Sequence, residues 1–392
     1  MAHRVRFSSL ALFSLSVAAV ACGSSDANPG TSTGGFPATG GSTAQGGSGA
    51  NGGAQVVGGT SGSGSTIGGS SPGGTSAGGS SAGGTSAGGA SAGSSAGGTD
   101  SSGAPAGFWD PSNIPPAKNV MVFKFLNRTN GKYPDSQVFW SFKSNTVNEV
   151  HSFAEKPLYD MPANASGRMY FYLEQPNSKY YDFIEFTIGT TRFNGNTTRV
   201  DAFGLKVAMR MHCADGFDVA VGEDYATFQE DRAATFQKFQ DEAPAEFKDL
   251  AVKNAPYRIV EPGADGFNPN QPHATYYDSF IDEIWSANGL TIPKPGPNGS
   301  GLGAFPDISA AIFRHVGNKA GTFSPDGKLL DHSLWTNAAT FYTAAPADYY
   351  ARYWHVHGLN GKAYGFPYDD VGGYSSYISH DNPQYLEVAV GW

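Results

Sequence analysis

A long glycine- and serine-rich segment divides this chain into a part that cannot fold and a part that can. From residue 23 to about 104 the sequence repeats glycine, serine, threonine and alanine, and 29 of the 53 glycines lie there. Phe36 is its only aromatic residue. Such a segment buries too little apolar surface to offset the entropy of ordering its backbone, so we expect a disordered tether. The folded part is therefore expected within residues 105–392.

The first residues are typical of an export signal. A basic start precedes an apolar run over residues 10–21, shorter than the roughly 20 residues that a membrane helix needs. Residues 1–21 are therefore predicted to be a cleaved signal peptide. The four residues that end at Cys22 are similar to a bacterial lipobox, so Cys22 is the predicted lipidation site and residues 22–104 form the tether. An ordinary secretory cleavage near Cys22 is the alternative.

Charge and cysteine content exclude several classes of protein. The formal net charge is −9, and nearly all charged residues lie in the folded part. An acidic domain repels phosphate backbones, so we expect no nucleic-acid partner, whereas a neutral polysaccharide is compatible. Only Cys22 and Cys213 are present, which excludes a metal site built on several thiolates. His355 and His357 alternate on a predicted strand but lack a third ligand, so we expect no metal.

Hydrophobic patterning predicts a β-rich start to the folded part. Runs of alternating or clustered apolar residues bounded by turn residues are typical of strands, and short strands at this spacing indicate a sandwich or barrel. The predicted strands span residues 118–125, 137–142, 168–173 and 181–188.

The pattern then changes to helical spacing. Residues 224–254 predict two helices separated at Pro244, and residues 276–288 predict a helix that ends at Gly289. Further strands are predicted at residues 312–316, 364–366 and 385–390. The chain thus predicts a barrel over about 117–215 and 355–392, with an α/β insertion over about 216–354.

Two carboxylates stand in a pattern suited to the hydrolysis of a glycosidic bond. That reaction needs one carboxyl to protonate the leaving oxygen and a second to activate water or attack the sugar. Because side chains alternate along a strand, Glu185 faces one surface while Ile184 and Phe186 enter the core. Asp201 is predicted on the next strand. The alternative is a pair of exposed strand carboxylates without a chemical role.

The segments around these carboxylates form two sequence motifs. Residues 183–187 read Phe-Ile-Glu-Phe-Thr, and residues 200–205 read Val-Asp-Ala-Phe-Gly-Leu, with the aspartate sixteen positions after the glutamate. In order and spacing they resemble motifs of glycoside hydrolase family 64, within the thaumatin-like superfamily. The similarity continues through residues 280–285 and 365–371, the second of which resembles the barrel-closing segment of thaumatin-like proteins.

The resemblance implies both an activity and an architecture. It implies β-1,3-glucan hydrolysis by an inverting mechanism, with Glu185 as general acid and Asp201 as general base and with no metal or cofactor. The implied fold is mainly β: a thaumatin-like β-barrel or sandwich lobe with an inserted mixed α/β lobe, which together form a wide groove.

One departure concerns the loop between the two motifs, which carries a tryptophan in the family. Residues 192–196 occupy that stretch here, so Phe193 is the candidate replacement. The other candidate sugar contacts are Thr187, Tyr368, Asp369 and Asp370. Thr187 has packing as its alternative role, and the two aspartates have the ordering of a turn after Pro367.

Strand geometry gives a separate expectation for the connection between the carboxylates. A two-residue hairpin at Asn194-Gly195 would place Glu185 and Asp201 on opposite faces of the sheet. We therefore predict an odd-length loop or a bulge there, with the two carboxyls diagonally offset so that a water fits between them.

Taken together, the sequence predicts a β-1,3-glucan hydrolase that acts as a monomer, is exported, and is lipid-anchored at the bacterial membrane or cell surface, or secreted. The alternative is a non-catalytic thaumatin-like glucan-binding or adhesion protein. Binding of insoluble glucan without release of reducing ends would favour that alternative.

Overall fold

The structure is a computed structural model that describes residues 103–145, 147–296 and 305–392. The predicted signal peptide, the predicted lipidation site at Cys22 and all but the last two residues of the predicted tether lie outside the described residues. Within the described ranges, no helix combines the length and the apolar composition of a membrane span.

Two β-sheets form the larger part of the fold. A five-stranded sheet, sheet A, has the order β10-β9-β13-β1-β4, and a six-stranded sheet, sheet B, has the order β12-β7-β6-β5-β2-β3; β8 and β11 pair separately. The strands are β1 (Met121–Arg128), β2 (Val138–Lys143), β3 (Asn148–Ser152), β4 (Leu158–Met161), β5 (Ala165–Leu173), β6 (Tyr181–Ile188), β7 (Arg192–Thr197), β8 (Ala202–Phe203), β9 (Lys206–Cys213), β10 (Asp218–Gly222), β11 (Ile259–Val260), β12 (Tyr377–Asp381) and β13 (Pro383–Gly391).

Strand pairing explains how the two sheets are completed. In sheet A, β1 and β13 are parallel and the other neighbours antiparallel, and sheet B is antiparallel throughout. The last strand, β13, fits between β1 and β9 in the centre of sheet A. The prediction that residues 385–390 return to the first sheet is therefore confirmed, as are the predicted strands within β1, β2, β5 and β6.

The core between the sheets is built from alternate residues of both. Phe123 and Val388 of sheet A and Trp140, Phe171 and Ile184 of sheet B are fully buried in one hydrophobic cluster. Burial of each such side chain stabilises the fold by roughly 1.5–3 kcal/mol. The period-two pattern that predicted these strands follows from this one-sided packing.

The α-helices, and the described 3-10 segments apart from Asp135–Gln137, lie between β10 and β12 in the sequence. The α-helices are α1 (Tyr225–Gln229), α2 (Arg232–Glu242), α3 (Asp278–Asn288), α4 (Pro306–Phe313) and α5 (Tyr349–Val356), with 3-10 segments at Asp135–Gln137, Ala245–Ala251, His332–Trp335, Ala338–Thr340 and Leu359–Gly361. The predicted break at Pro244 is confirmed, since α2 ends before it. The predicted end of α3 at Gly289 is also confirmed, by its left-handed φ of 59°.

Three predicted strand segments are wrong. Residues 312–316 begin in the last turn of α4, whose Pro306 occupies an early helical position that proline tolerates. Residues 364–366 lie in a loop. His355 lies in α5 and His357 caps it, so the two imidazoles do not share a strand face; they contact Asp369 and Glu242 respectively.

Candidate active site

Strand β6 places Glu185 on the open face of sheet B. Its neighbours Ile184, Phe186 and Ile188 are buried between the sheets, whereas the Glu185 side chain is 26% exposed. This alternation is the one predicted from the sequence, and it presents the carboxylate to solvent from a rigid central strand.

Arg168 lies directly across from Glu185 on β5 and binds its carboxylate. The strand register pairs the two residues, and Arg168 Nε donates a 2.7 Å hydrogen bond to Glu185 Oε1. The guanidinium carbon is 4.1 Å from the ring centroid of Phe183, a cation–π contact that helps to fix its plane. Sequence reasoning missed Arg168, although a lone arginine on the polar side of an otherwise aromatic strand was a usable signal.

The same guanidinium also binds Asp201. Arg168 Nη1 donates a 2.6 Å hydrogen bond to Asp201 Oδ2, and the two side chains are 36% and 47% exposed. One guanidinium therefore spans both predicted carboxylates. Although burial opposes its charged form, Glu185 and Asp201 raise the pKa of Arg168, so it remains a cation.

The connection between the carboxylates differs from the prediction. Asn194 and Gly195 lie within β7, and the hairpin turn is at Thr190-Thr191, where Gly189 N–H donates to Arg192 O at 2.8 Å. The predicted odd-length loop or bulge at residues 194–195 is therefore wrong.

Asp201 does not lie on the strand next to β6, as predicted, but in a bend before β8. The residue opposite Glu185 is Asn196. Because the chain leaves the sheet after Thr197, the strand-face rule does not govern where Asp201 points. A bend brings the second carboxylate to Arg168 instead.

A buried ionic network fixes the segment that carries Asp201. Arg199 Nη1 binds Asp182 at 2.9 Å, while its Nε and Nη2 bind the two oxygens of Glu223 at 2.7 Å each. Tyr350 of α5 donates its hydroxyl to Arg199 O at 2.7 Å. Since Asp182 lies three residues before Glu185 on β6, this network ties the two halves of the carboxylate pair together.

Thr187 lies where it was predicted, on the open face two residues from Glu185. It is exposed, and its hydroxyl is 2.9 Å from Ser166 Oγ. Asn194 is directly across from it on β7 and accepts hydrogen bonds from Ser379 Oγ and Tyr377 Oη. These polar side chains continue the exposed row beside the carboxylates.

Phe193 is not a sugar contact. Its side chain is fully buried and packs in the core against Phe123 and Phe186. Odd-numbered residues of β7 face the opposite sheet, so the residue that resembled a replacement for the tryptophan is a core residue.

Asp369 is not a sugar contact either. It is fully buried, and its carboxylate accepts hydrogen bonds from Arg314 Nη2 at 2.9 Å and from Gly365 N–H at 2.8 Å, while His355 Nε2 lies 2.9 Å away. The alternative role, ordering the segment after Pro367, is the one that the structure supports. Even against its burial, His355 and Arg314 hold the pKa of Asp369 below its ordinary value.

Tyr368 and Asp370 remain accessible. Tyr368 is half-buried with a left-handed φ of 74°, and Asp370 is exposed. Tyr364, which the sequence analysis missed, lies close enough to Asp370 and Glu185 for their charges to act on it, since burial and these carboxylates raise the pKa of its phenol.

One group in the described part of the chain has a ligand set that could hold a metal. Cys213, Asp215 and His380 place three possible ligand atoms within 4.8 Å of one another. Burial, with the nearby Asp215, raises the pKa of the Cys213 thiol to about 11, which favours its protonated, weakly ligating form. We assign no metal to it.

The sequence of the folded part matches the model of a known protein family. A model of glycoside hydrolase family 64, described as β-1,3-glucanase, matches residues 171–299 and 302–390. These ranges contain both carboxylates and cover more than half of the chain. The chain therefore belongs to glycoside hydrolase family 64, the β-1,3-glucanase family.

Curated relatives carry the corresponding name. A glucan endo-1,3-β-glucosidase of Arthrobacter sp. (strain YCWD3) is 46% identical over 244 residues, which are 52% of this chain and 44% of that protein. A glucan endo-1,3-β-glucosidase of Cellulosimicrobium cellulans is 46% identical over 48 residues, 12% of this chain and 9% of that protein. The chain thus spans less than half the length of the curated relatives it matches.

Solved structures share the architecture. A laminaripentaose-producing β-1,3-glucanase of Paenibacillus barengoltzii, also solved with laminarihexaose, superposes with a TM-score of 0.59 at 27% identity, over 72% of this chain and 78% of that one. A β-1,3-glucanase domain from Clostridium beijerinckii gives a TM-score of 0.56 at 21% identity over 71% and 100%, which supports the fold alone.

Proposed function

We propose that this chain hydrolyses β-1,3-glucan with Glu185 as general acid and Asp201 as general base. The observation that carries the proposal is that Arg168, on the open face of sheet B, binds two partly exposed carboxylates. Family membership and the names of the relatives support β-1,3-glucan as the substrate.

The mechanism proposed is a single displacement. An inverting pair needs its carboxyls roughly 6.5–9.5 Å apart so that a water fits between base and sugar. Here the separation is bounded by two hydrogen bonds of 2.7 and 2.6 Å and the width of one guanidinium. Asp201 Oδ1, which does not bind Arg168, takes a proton from that water as it attacks the anomeric carbon from the opposite side.

Glu185 supplies the other proton. Arg168 contacts its Oε1 only, which leaves Oε2 to carry the proton that passes to the departing glycosidic oxygen. Directly across on β7, Asn196 has a buried Oδ1 that accepts no hydrogen bond from the described residues. Asn196 therefore presents a free acceptor on the strand position opposite the proposed acid.

The proposed sugar-binding surface follows the polar row beside Glu185. Register places Arg168, Glu185, Asn196 and Tyr377 in line across four strands of sheet B. Tyr377 is 46% exposed, so we assign to it the aromatic contact that the sequence analysis gave to Phe193. In this proposal sheets A and B form the thaumatin-like lobe, and the helices form the other wall of the groove.

The proposal extends to location. A Gly/Ser-rich tether after a lipobox-like Cys22 suits a monomeric enzyme exported and held at the bacterial membrane or cell surface by lipid. Recovery of the full chain in the soluble fraction alone, after expression in a bacterium that processes lipoproteins, would contradict the anchor.

Incubation with polymer tests the activity against the non-catalytic alternative. We expect the purified folded part to release reducing ends from laminarin and curdlan, and Asp201→Asn to lose that release while still sedimenting with curdlan. Asp282→Asn, which removes an exposed carboxylate of α3, is the matched control and should keep wild-type rates. Sedimentation of the wild type with curdlan, without any reducing ends, would instead identify a glucan-binding protein.

A further inference from the structure

A third carboxyl, that of Glu261, lies beside the proposed catalytic pair. Strands β8 and β11 pair as Ala202 with Val260, so the next positions along the two chains are Asp201 and Glu261. Asp201 directly precedes β8 and Glu261 directly follows β11, so the two residues occupy opposing positions just beyond the ends of this strand pair. Neither motif that singled out Glu185 and Asp201 includes Glu261.

The turn after β11 is shaped around this carboxylate. Gly263 N–H donates to Glu261 Oε2 at 2.5 Å. A Cβ at position 263 would lie 2.8 Å from that oxygen, so a larger residue there would require the carboxylate to shift. In the described part of the chain, no lysine, arginine or histidine forms an ion pair with Glu261, whereas Asp201 is bound by Arg168.

Several acidic or neutral groups on the surrounding elements interact electrostatically with Glu261. They are Asp201 from the bend before β8, Asp348 and Tyr350 from the start of α5, and Tyr277 from the start of α3. Burial, together with the charge of Asp201, raises the pKa of Glu261 to about 7. Burial likewise raises the pKa of Asp348 to about 7, and Glu261 adds to that shift.

We propose that Glu261 is a positioning residue that acts through Asp201: its negative charge, once present, makes Asp201 a stronger base toward the attacking water. Like charges close together favour retention of a proton on one of them. The water still gives its proton to Asp201, and Glu185 still gives its own to the leaving oxygen. Glu261 exchanges its proton with solvent and supplies only charge. This inference rests on the proposed hydrolysis.

The sign of the pH effect follows from the chemistry of the two forms. Below about pH 6 Glu261 is neutral, so glutamine is a close substitute and Glu261→Gln should match the wild type. Above about pH 8 Glu261 is ionised, and its charge favours proton uptake by Asp201 and the positive charge that develops on the sugar. The wild type should then exceed the variant by about 3- to 10-fold, up to one pKa unit of basicity.

The experiment is the ratio of wild-type to Glu261→Gln kcat/KM on laminarin between pH 5 and 9. We expect a ratio near one at pH 5.5 that rises through a midpoint close to pH 7, and Glu261→Asp, which keeps an ionisable group, should restore the rise. Glu283→Gln, an exposed carboxyl of α3, should give a ratio of one throughout. A ratio that is the same at every pH would overturn this inference and leave the proposed function intact. A wild type without hydrolysis at any pH would overturn the proposed function itself.

Discussion

Replacing Glu185 with glutamine is expected to lower kcat for laminarin hydrolysis by about 10²- to 10⁴-fold, because an amide cannot protonate the departing oxygen. Glutamine preserves size, and its carbonyl can still accept the hydrogen bond from Arg168 Nε. The geometry of the site should therefore persist, and KM should change much less than kcat. Release of reducing ends at saturating laminarin, with circular dichroism as a check of folding, measures the effect.

The leaving group separates the acid from the base. An aryl laminarioside departs without help from an acid, so Glu185→Gln should recover much of its bond-cleavage rate on it, whereas Asp201→Asn should not. Glu155→Gln, which removes a surface carboxylate near His151, is the control and should retain wild-type kinetics. Wild-type rates in both the Glu185 and the Asp201 variants would show that the carboxylate pair is not the catalytic machinery.

Removal of the Arg199 guanidinium should cost about 3–5 kcal/mol of unfolding free energy, a large share of the 5–15 kcal/mol that stabilises a typical domain. Arg199 is 3% exposed, and Arg199→Met would leave the buried carboxylates of Asp182 and Glu223 without their cation. Arg199→Lys keeps the charge but not the two-pronged geometry, so its loss should be smaller. Urea unfolding followed by tryptophan fluorescence gives the three values.

A surface ion pair provides the comparison for this prediction. Arg192 and Asp381 are 49% and 55% exposed, and Arg192→Met should cost no more than about 1 kcal/mol. If Arg199→Met were as mild as Arg192→Met, the buried network would not be what holds the bend before Asp201.

The sheets could be predicted where one-sided burial imposes a period of two. Trp140, Phe171 and Ile184 show this, and the strands that contain them were identified. The pattern failed where a short apolar run is compatible with either structure, as in α4, which ends at Phe313. It also failed for His355, since a spacing of two residues occurs in strands and helices alike and only tertiary packing separates them.

The candidate site was predicted only in part, and the reason is contact across strands. Motif spacing identified Glu185 and Asp201, but it carried no information that a single residue, Arg168, binds both. Glu261 was missed because it approaches Asp201 from β11, about sixty positions later in the chain. Phe193 was misassigned because residue type suggested an aromatic sugar contact while strand parity, known only from the true register, turns it into the core.

The central claim is that Glu185 and Asp201 cleave β-1,3-glucan by a single displacement. Proton NMR of the anomeric signals during the first minutes of laminarin hydrolysis tests it most directly, before mutarotation mixes the anomers. The account predicts that the newly formed reducing ends appear first as the α-anomer, inverted from the β-linkage. Initial appearance of the β-anomer would show retention and would contradict the assignment of Asp201 as a base that activates water.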